Sequence, residues 1–146
     1  MAKADFSIPG VEHVAVLQYF QTLNAGDFTA TADLFTEEGA MQPPFESPIV
    51  GREAIATFLK SEAKEMRLEP REGDAEQLKN GQTQVQVGGK VQTALFGVNV
   101  SWQFILSSLS NAVSTTGNLS QQIVYVRIKL LASPQELIEL RDHSSG

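Results

Sequence analysis

The sequence predicts one α+β domain, residues 1–146, in which N-terminal helices pack on one face of a curved antiparallel sheet. Apolar residues follow a helical spacing in the first half of the chain, and alternation with period two replaces it from residue 82 onwards. The two patterns follow one another instead of alternating, which is typical of α+β proteins. With 42% hydrophobic residues, a chain of 146 residues can bury its own core. Frayed ends are expected at residues 1–10 and 141–146.

Three helices are predicted in the first half of the chain. The first covers Val11–Leu23, where apolar residues recur every three or four positions. The stretch NAGD ends it, and Asp27 caps a second, short helix that runs through Leu34 and Phe35. The prolines of MQPPFESPIVG predict a loop or an irregular edge segment. A third helix is predicted over Arg52–Met66.

The second half of the chain predicts three or four long antiparallel strands. They correspond to the stretches QTQVQV, KVQTALF, NVSWQFILS and QQIVYVRIKLLA. The segment SPQELIELR then predicts a short closing helix, with Ser133 as its cap and Pro134 at its first position. Helices wrapped by such a sheet form a cone with a cavity, an architecture that hosts both enzymes and binding proteins.

Composition excludes several classes of function. The net charge of −6 argues against a nucleic-acid-binding protein, because phosphate affinity needs clustered Lys and Arg. The absence of cysteine excludes disulfides, thiolate catalysis and Cys-ligated metals. No apolar run is long enough for a secretory signal or a transmembrane helix, so a cytoplasmic protein is expected.

The predicted strands carry no acid–base chemistry. The stretch from Gln77 to Gln135 lacks Asp, Glu and His, and it contains every long strand that the pattern predicts. An acid–base dyad borne by the sheet is therefore excluded. The two histidines, His13 and His143, cannot form a metal site within the sheet, and His13 is interpreted as a surface or half-buried structural residue.

The only tryptophan, Trp102, lies on a strand with one apolar face. Its companions on that face are Val98, Val100, Phe104 and Leu106. On the last strand, Val124, Val126, Ile128 and Leu130 share one face, and Ile123, Tyr125, Arg127 and Lys129 share the other. The two apolar faces together predict a concave apolar wall that contains one indole donor.

Two interpretations of the aromatic donors remain open at this point. Trp102 can be a core residue whose N–H meets a backbone carbonyl, and Tyr19 a helix aromatic whose hydroxyl reaches solvent. Alternatively, the two side chains hold a ligand carbonyl, because both are neutral donors at neutral pH.

Four features occur in a fixed order along the chain: LFTEEGAMQPPFESPIVGREAI (34–55), GKVQTALFG (89–97), the strand tryptophan and LLASPQEL (130–137). Together they resemble the C-terminal domain family of cyanobacterial orange carotenoid proteins. The resemblance runs from about Val11 to Leu140 in the order of the family. The helical N-terminal domain of the full-length proteins is missing, so a stand-alone homologue of the C-terminal domain is expected.

The resemblance implies a fold like nuclear transport factor 2 and a ketocarotenoid ligand, canthaxanthin or echinenone. It implies that Tyr19 and Trp102 donate to the ring carbonyl of that ligand. Further ligand contacts carry over to Leu23, Leu68, Thr93, Phe96, Ile128 and Leu130. The expected role is photoprotective and not enzymatic: a carrier that takes pigment from the thylakoid membrane, passes it to helical carotenoid proteins and quenches singlet oxygen.

The size of the pigment predicts a partner. A folded chain of this length has a radius of gyration of about 15 Å, and a carotenoid is a rigid rod nearly as long as such a domain is wide. One cone cannot enclose it, so a non-covalent homodimer or a helical partner is expected to cover the protruding end. Glu62 matches an acid that in the family pairs with an arginine of the helical domain, and the alternative interpretation is a solvated charge on the helix surface. The polar segment 107–120 is longer than in the family.

Two other functions remain as alternatives. A cone-shaped isomerase or polyketide cyclase would need acids from helices or loops, such as Asp27, Asp33 or Glu46. The other alternative is a dimerising interaction module that binds no pigment.

Overall fold

The computed structural model describes residues 7–108 and 121–131, which form three helices and one six-stranded sheet. The helices are α1 (Val14–Asn24), α2 (Phe28–Ala32) and α3 (Arg52–Glu62). The strands are β1 (Phe35–Gln42), β2 (Ile49–Val50), β3 (Arg67–Gln77), β4 (Thr83–Gln92), β5 (Gly97–Leu106) and β6 (Ile123–Leu131). The predicted closing helix (133–141), His143 and residues 109–120 of the polar segment lie outside the described residues.

The sheet has the order β2-β1-β6-β5-β4-β3 and is mixed. Every neighbouring pair is antiparallel except β1 and β6, which run parallel. The predicted curved antiparallel sheet is therefore confirmed except for this one parallel pair. Parallel neighbours need a long crossover, and here the connection from β1 to β6 runs through α3 and the other strands.

Two strands escaped prediction because their sequences are polar. β1 reads FTEEGAMQ and β3 reads RLEPREGDAEQ, with a proline and a glycine inside the strand. β3 is an edge strand, where charged side chains and proline are tolerated because one side of the strand faces water. The predicted strands QTQVQV and KVQTALF are the single strand β4 and the turn that follows it.

The sheet bends where β3 meets β4. A register shift between Pro70 and Glu72 leaves one residue of β3 unpaired. Close beside it, a Cβ on Gly89 would lie 2.3 Å from the carbonyl oxygen of Glu69, so only glycine fits there. The bulge and the close approach of the two backbones curve the sheet around the helices.

The helix boundaries differ from the prediction at three places. α1 begins at Val14 because Val11 is held in a turn with Ile8. The second helix ends at Ala32, because Phe35 already pairs with β6 in the sheet. α3 ends at Glu62, and a turn follows in which the amide of Met66 donates to the carbonyl of Ala63.

The start of the described chain is packed, which corrects the prediction of a frayed segment over residues 1–10 for its residues 7–10. Ile8 is buried in the core cluster, and the amide of Gly73 donates to the carbonyl oxygen of Pro9 over 2.9 Å. Residues 1–6 lie outside the described residues. His13 is half-buried at the N-cap of α1, as predicted, and its Nδ1 is buried without a hydrogen-bond partner.

The core lies between the helices and the concave face of the sheet. Its largest fully buried side chains are Trp102, Tyr19, Phe20, Phe35, Phe104, Ile8, Met41, Ile55, Leu106 and Ile123. The alternation predicted for β5 is confirmed, since Val100, Trp102, Phe104 and Leu106 are buried in turn. No helix in the described part of the chain is long and apolar enough to cross a bilayer.

Strand β6 departs from the predicted alternation at its start. Ile123, which was expected on the face away from the core, is fully buried, whereas Val124 is only half-buried. The cause is a register shift: Ile105 pairs with Tyr125, and the next residue, Leu106, pairs with Ile123. The irregularity inserts one residue into β6 and turns Ile123 back towards the core.

Candidate functional site

A cavity of about 280 Å³ lies between the concave face of the sheet and helices α1 and α3. Almost all of its lining is apolar. The lining residues are Tyr19, Leu23, Met41, Pro43, Pro44, Phe58, Leu59, Glu62, Ala63, Met66, Leu68, Val91, Thr93, Phe96, Val98, Val100, Trp102, Ile128 and Leu130. A volume near 300 Å³ is at the lower end for small-molecule sites, so the cavity fits one end of a long ligand.

The eight residues predicted as ligand contacts all line this one cavity. They are Tyr19, Leu23, Leu68, Thr93, Phe96, Trp102, Ile128 and Leu130. They come from α1, β3, β5, β6 and the turn between β4 and β5, so the fold brings together positions that lie far apart in the sequence.

Sequence reasoning missed part of the lining. Met41, Pro43 and Pro44 belong to the end of β1 and the proline loop, Phe58 and Leu59 lie on α3, and Ala63 directly follows that helix. The helical spacing on α3 was a usable signal for a buried face. No periodic signal marks the proline loop, because its residues follow no regular repeat.

Strand β5 sets the depth of the cavity. Phe96, just before the strand, is 55% exposed, Val98 is half-buried, and Trp102 is 1% exposed. Alternate residues of a strand point to the same face, so these side chains line one wall from the mouth to the closed end. Six residues of strand span about 20 Å.

An aromatic cluster forms the closed end. The ring of Phe20 meets Trp102 edge-on with centroids 4.8 Å apart, and the ring of Tyr19 meets Phe104 edge-on at 5.0 Å. Tyr19 also packs edge-on against Phe20 at 5.2 Å. Edge-to-face contacts of this kind fix ring orientation, so the positions of the Tyr19 and Trp102 side chains are set by the packing around them.

Two hydrogen-bond donors of this cluster lack a partner. The Tyr19 hydroxyl and the Trp102 indole N–H form no hydrogen bond with any described residue, although each side chain is 1% exposed. Among the described residues, His13 Nδ1 is the one side-chain polar atom that is both fully buried and without a hydrogen-bond partner. The Tyr19 oxygen and the Trp102 nitrogen therefore remain accessible from the cavity. Burial raises the pKa of Tyr19, which keeps the hydroxyl protonated at neutral pH.

Thr93 shapes the mouth of the cavity. Its Oγ1 accepts from the amides of Leu95 (3.2 Å) and Phe96 (3.1 Å) and donates to the carbonyl oxygen of Phe96 (2.9 Å). The hydroxyl thus holds the tight turn between β4 and β5. As a result, Leu95 and Phe96 project from the tip of this hairpin, with 87% of Leu95 exposed.

Asn24 connects the two walls of the cavity. Its amide nitrogen donates to the carbonyl oxygen of Leu68 over 2.9 Å, and its amide oxygen accepts from the Leu68 amide over 2.8 Å. Asn24 is the last residue of α1, and Leu68 lies on the edge strand β3. The pair of bonds therefore fixes the helix that carries Tyr19 against the far edge of the sheet.

The carboxylates of the sheet do not reach the cavity. The prediction that the acid-free stretch contains every long strand was wrong, because β1 and β3 carry Glu37, Glu38, Glu69, Glu72, Asp74 and Glu76. All six side chains are exposed and none lines the cavity. The exclusion of a dyad from the whole sheet therefore loses its ground, but none of the described strands brings a carboxylate to the cavity wall.

The acids proposed for an enzyme are equally remote. Asp27 caps α2 by accepting from the amide of Ala30, and neither Asp33 nor Glu46 lines the cavity. Glu62, on α3, is the one carboxylate in the lining, and it is exposed near the mouth. In the described part of the chain, no three His, Asp or Glu side chains cluster as a metal site would require.

Large apolar side chains stand exposed around the mouth. Met66, Phe96 and Leu130 line the cavity and are 39%, 55% and 45% exposed. Phe45, Leu95 and Leu131, each next in sequence to a lining residue, are exposed as well. These six residues are called the apolar rim below: Phe45, Met66, Leu95, Phe96, Leu130 and Leu131. An exposed patch of this kind marks a binding surface more often than a chance arrangement.

Comparison with known proteins identifies a family and several relatives. Residues 11–113 match the nuclear transport factor 2 (NTF2) domain. The orange carotenoid-binding protein of Synechocystis is 41% identical over 141 residues, which cover 94% of this chain and 41% of that protein. The protein of the same name from Limnospira maxima is 42% identical over 91% of this chain and 40% of its own length.

A solved structure agrees with the sequence matches. The orange carotenoid protein of Anabaena (Nostoc), determined with canthaxanthin bound, is 43% identical and superimposes with a TM-score of 0.75 over 91% of this chain and 40% of that chain. This chain spans about 40% of the length of the relatives it matches. The chain therefore belongs to the NTF2 domain family, and it is a homologue of the C-terminal domain of orange carotenoid-binding proteins.

Proposed function

We propose that this protein binds a ketocarotenoid, canthaxanthin or echinenone, with one ring of the pigment at the closed end of the cavity. The observation that carries the proposal is a pair of unpartnered neutral donors, Tyr19 and Trp102, in an otherwise apolar site. A ring carbonyl supplies the acceptor that both donors lack, and the polyene matches the apolar walls. Homology to proteins named as carotenoid-binding supports the same ligand class.

A binding role fits the site better than catalysis. Glu62 is the one carboxylate among the described lining residues, it lies towards the mouth, and Asp27, Asp33 and Glu46 are elsewhere. The residues at the closed end can orient and bind a carbonyl, but none of them is a general base at neutral pH, because burial holds the Tyr19 hydroxyl protonated.

The pigment is longer than the cavity, whose wall along β5 spans about 20 Å, so we also propose a non-covalent homodimer. When pigment is bound, each molecule would cover the end of the polyene that the other cavity leaves exposed. Removing apolar surface from water stabilises such a pairing by roughly 25 cal/mol per Å². The chain has no cysteine, so no disulfide joins the two copies.

A non-covalent homodimer could also transfer the pigment to other molecules. Two halves without a covalent link can separate and release the pigment, which supports a carrier that takes carotenoid from the thylakoid membrane. The acceptors would be helical carotenoid proteins, with Glu62 as one contact, and the loaded protein would quench singlet oxygen. Mixing pigment-loaded protein with such an acceptor tests the transfer. If the acceptor gains no carotenoid absorption, the transfer is excluded.

The ligand proposal is tested with Trp102→Phe. The substitution removes one neutral hydrogen bond, worth about 1 kcal/mol, and keeps an aromatic ring in the site. Canthaxanthin affinity should fall about fivefold and its absorption maximum should shift. β-Carotene, which has no carbonyl, is the matched control and should bind equally well to both proteins. Equal losses for the two pigments would show that Trp102 acts only through packing, and failure of wild-type protein to take up either pigment would exclude the proposal.

A further inference from the structure

A groove runs beside the cavity along a free edge of the sheet. β1 ends at Gln42, which pairs with Arg127 of β6, so the following residues of β6 have β5 on one side only. The loop over residues 43–48 lies across this open side and leaves a groove of about 550 Å³. The groove shares Pro43, Pro44, Ile128 and Leu130 with the cavity, so it leads directly to the mouth.

The loop holds an aromatic ring in water. Phe45 is 91% exposed, and its φ of 62° is the one positive value found at a non-glycine residue in the described chain. A bulky residue in the left-handed region carries a conformational cost. An exposed ring adds a second unfavourable term. Both costs point to a function for the ring outside the folded chain.

The groove is positively charged although the chain as a whole carries a net charge of −6. Arg127 and Lys129 are exposed on β6 and line the groove, together with a single carboxylate, Glu46. Neither cation forms an ion pair with any described residue. Two free cations therefore stand next to the exposed Phe45 and the apolar rim.

We propose that this face docks on the surface of an anionic phospholipid bilayer. Phe45 and the rest of the apolar rim enter the boundary between headgroups and acyl chains, and Arg127 and Lys129 contact the anionic headgroups. The charge favours lipid over a second copy of the chain at the groove, because a second copy would bring the same two cations. The mouth of the cavity then opens towards the hydrocarbon layer. The biological purpose of the docking rests on the proposed pigment binding, but the docking itself needs no pigment.

Flotation of pigment-free protein with vesicles tests the proposal. We expect binding to vesicles of phosphatidylcholine with phosphatidylglycerol, weaker binding to phosphatidylcholine alone, and a loss of binding as salt is added. Arg127→Gln and Lys129→Gln should each lower the partition coefficient about fivefold. Phe45→Ser should lower it about tenfold. All three side chains are exposed, so the variants should fold, which circular dichroism verifies.

Matched controls remove the same chemistry elsewhere. Lys79→Gln removes a cation from the turn at the other end of β4, about 30 Å from the mouth, and Val14→Ser removes an exposed apolar side chain of α1. Both should bind vesicles like wild type. The proposal is overturned if wild type does not float, if it floats equally with both vesicle types, or if the controls lose as much as the groove variants.

Two further outcomes distinguish the proposed membrane docking from the proposed binding of a ketocarotenoid. Wild type that docks but takes up no canthaxanthin from detergent solution leaves the docking intact and removes the proposed ligand. Wild type that takes up canthaxanthin from detergent but never floats retains the ligand and removes the docking. A Phe45-dependent dimer on gel filtration, without flotation, would show that a second copy covers this face and would also overturn the docking.

Discussion

The closed end and the open end of the cavity use similar apolar side chains in opposite environments. At the closed end, Trp102 and Phe104 are almost fully buried and meet other rings edge-on. At the open end, Leu95 and Phe96 form a hairpin tip with little burial. Burial makes the closed end responsible for folding stability, whereas the open end is held by the Thr93 turn and is free to contact something else. One cavity therefore joins a rigid recognition end to an adaptable contact end.

The largest difference between the two ends should appear in Phe104→Ala. The ring is fully buried under Tyr19 and Phe20, so its removal leaves a cavity in the core. The free energy of unfolding should fall by about 3–5 kcal/mol, measured by guanidinium denaturation. A loss below about 1 kcal/mol would show that the closed end is loosely packed and would remove the contrast.

Removing the hydrogen bonds between α1 and the edge strand β3 should have an intermediate effect on the free energy of unfolding. Asn24→Ala removes both side-chain bonds to Leu68 and leaves its buried backbone groups to find water. Because Asn24 is itself exposed, water can partly replace it, and the loss should be about 1–2 kcal/mol. Gln18→Ala, an exposed position on the same helix, is the control and should change stability by less than about 0.5 kcal/mol. Equal effects of the two variants would contradict a role for the pair of bonds.

High pH should lower the free energy of unfolding through the buried Tyr19 hydroxyl at the closed end. Burial raises the pKa of Tyr19 above its usual value of 10.0, so the unfolded chain loses this proton at lower pH than the folded chain does. The contribution of Tyr19 to the free energy of unfolding is fully present below about pH 10. Above that pH, the free energy of unfolding should fall by about 1.4 kcal/mol per pH unit. Denaturation curves at increasing pH measure the slope. Tyr19→Phe should abolish it, and an unchanged slope in that variant would assign the effect to other groups.

The smallest effect is expected at the open end. Leu95→Ser replaces a side chain that is 87% exposed and leaves the Thr93 hydroxyl bonds in place. The free energy of unfolding should change by less than about 0.5 kcal/mol. A loss as large as that of Asn24→Ala would show that the rim belongs to the folded core, and the two ends would then not differ in kind.

The sequence predicted those parts of the fold in which local pattern and tertiary burial agree. β5 alternates cleanly, so the face of Trp102 was predicted correctly, and α1 and α3 follow helical spacing. β3 was missed because the charges of an edge strand hide its alternation. The predicted face of Ile123 was wrong because a bulge changes the register of β6 by one residue. The residue types around the bulge give no indication of it.

The candidate site also has a part that the sequence predicted and a part that it did not. Tyr19 and Trp102 were predicted from the resemblance and from the face of β5, and both lie at the closed end. Two features depend on contacts between distant segments: the bonds between Asn24 and Leu68, and the proline loop that closes one side. Only the folded chain brings those segments together, so local sequence patterns did not indicate them.

The pair of bonds between Asn24 and Leu68 also gives the cavity a natural reporter. Leu68 lies on an edge strand, where an outward amide normally exchanges its hydrogen with solvent quickly. Here that amide is held by the Asn24 oxygen, so exchange requires α1 and β3 to separate. The deuterium uptake of this single amide therefore measures how often the wall of the cavity opens, and any molecule that bridges the wall should slow it.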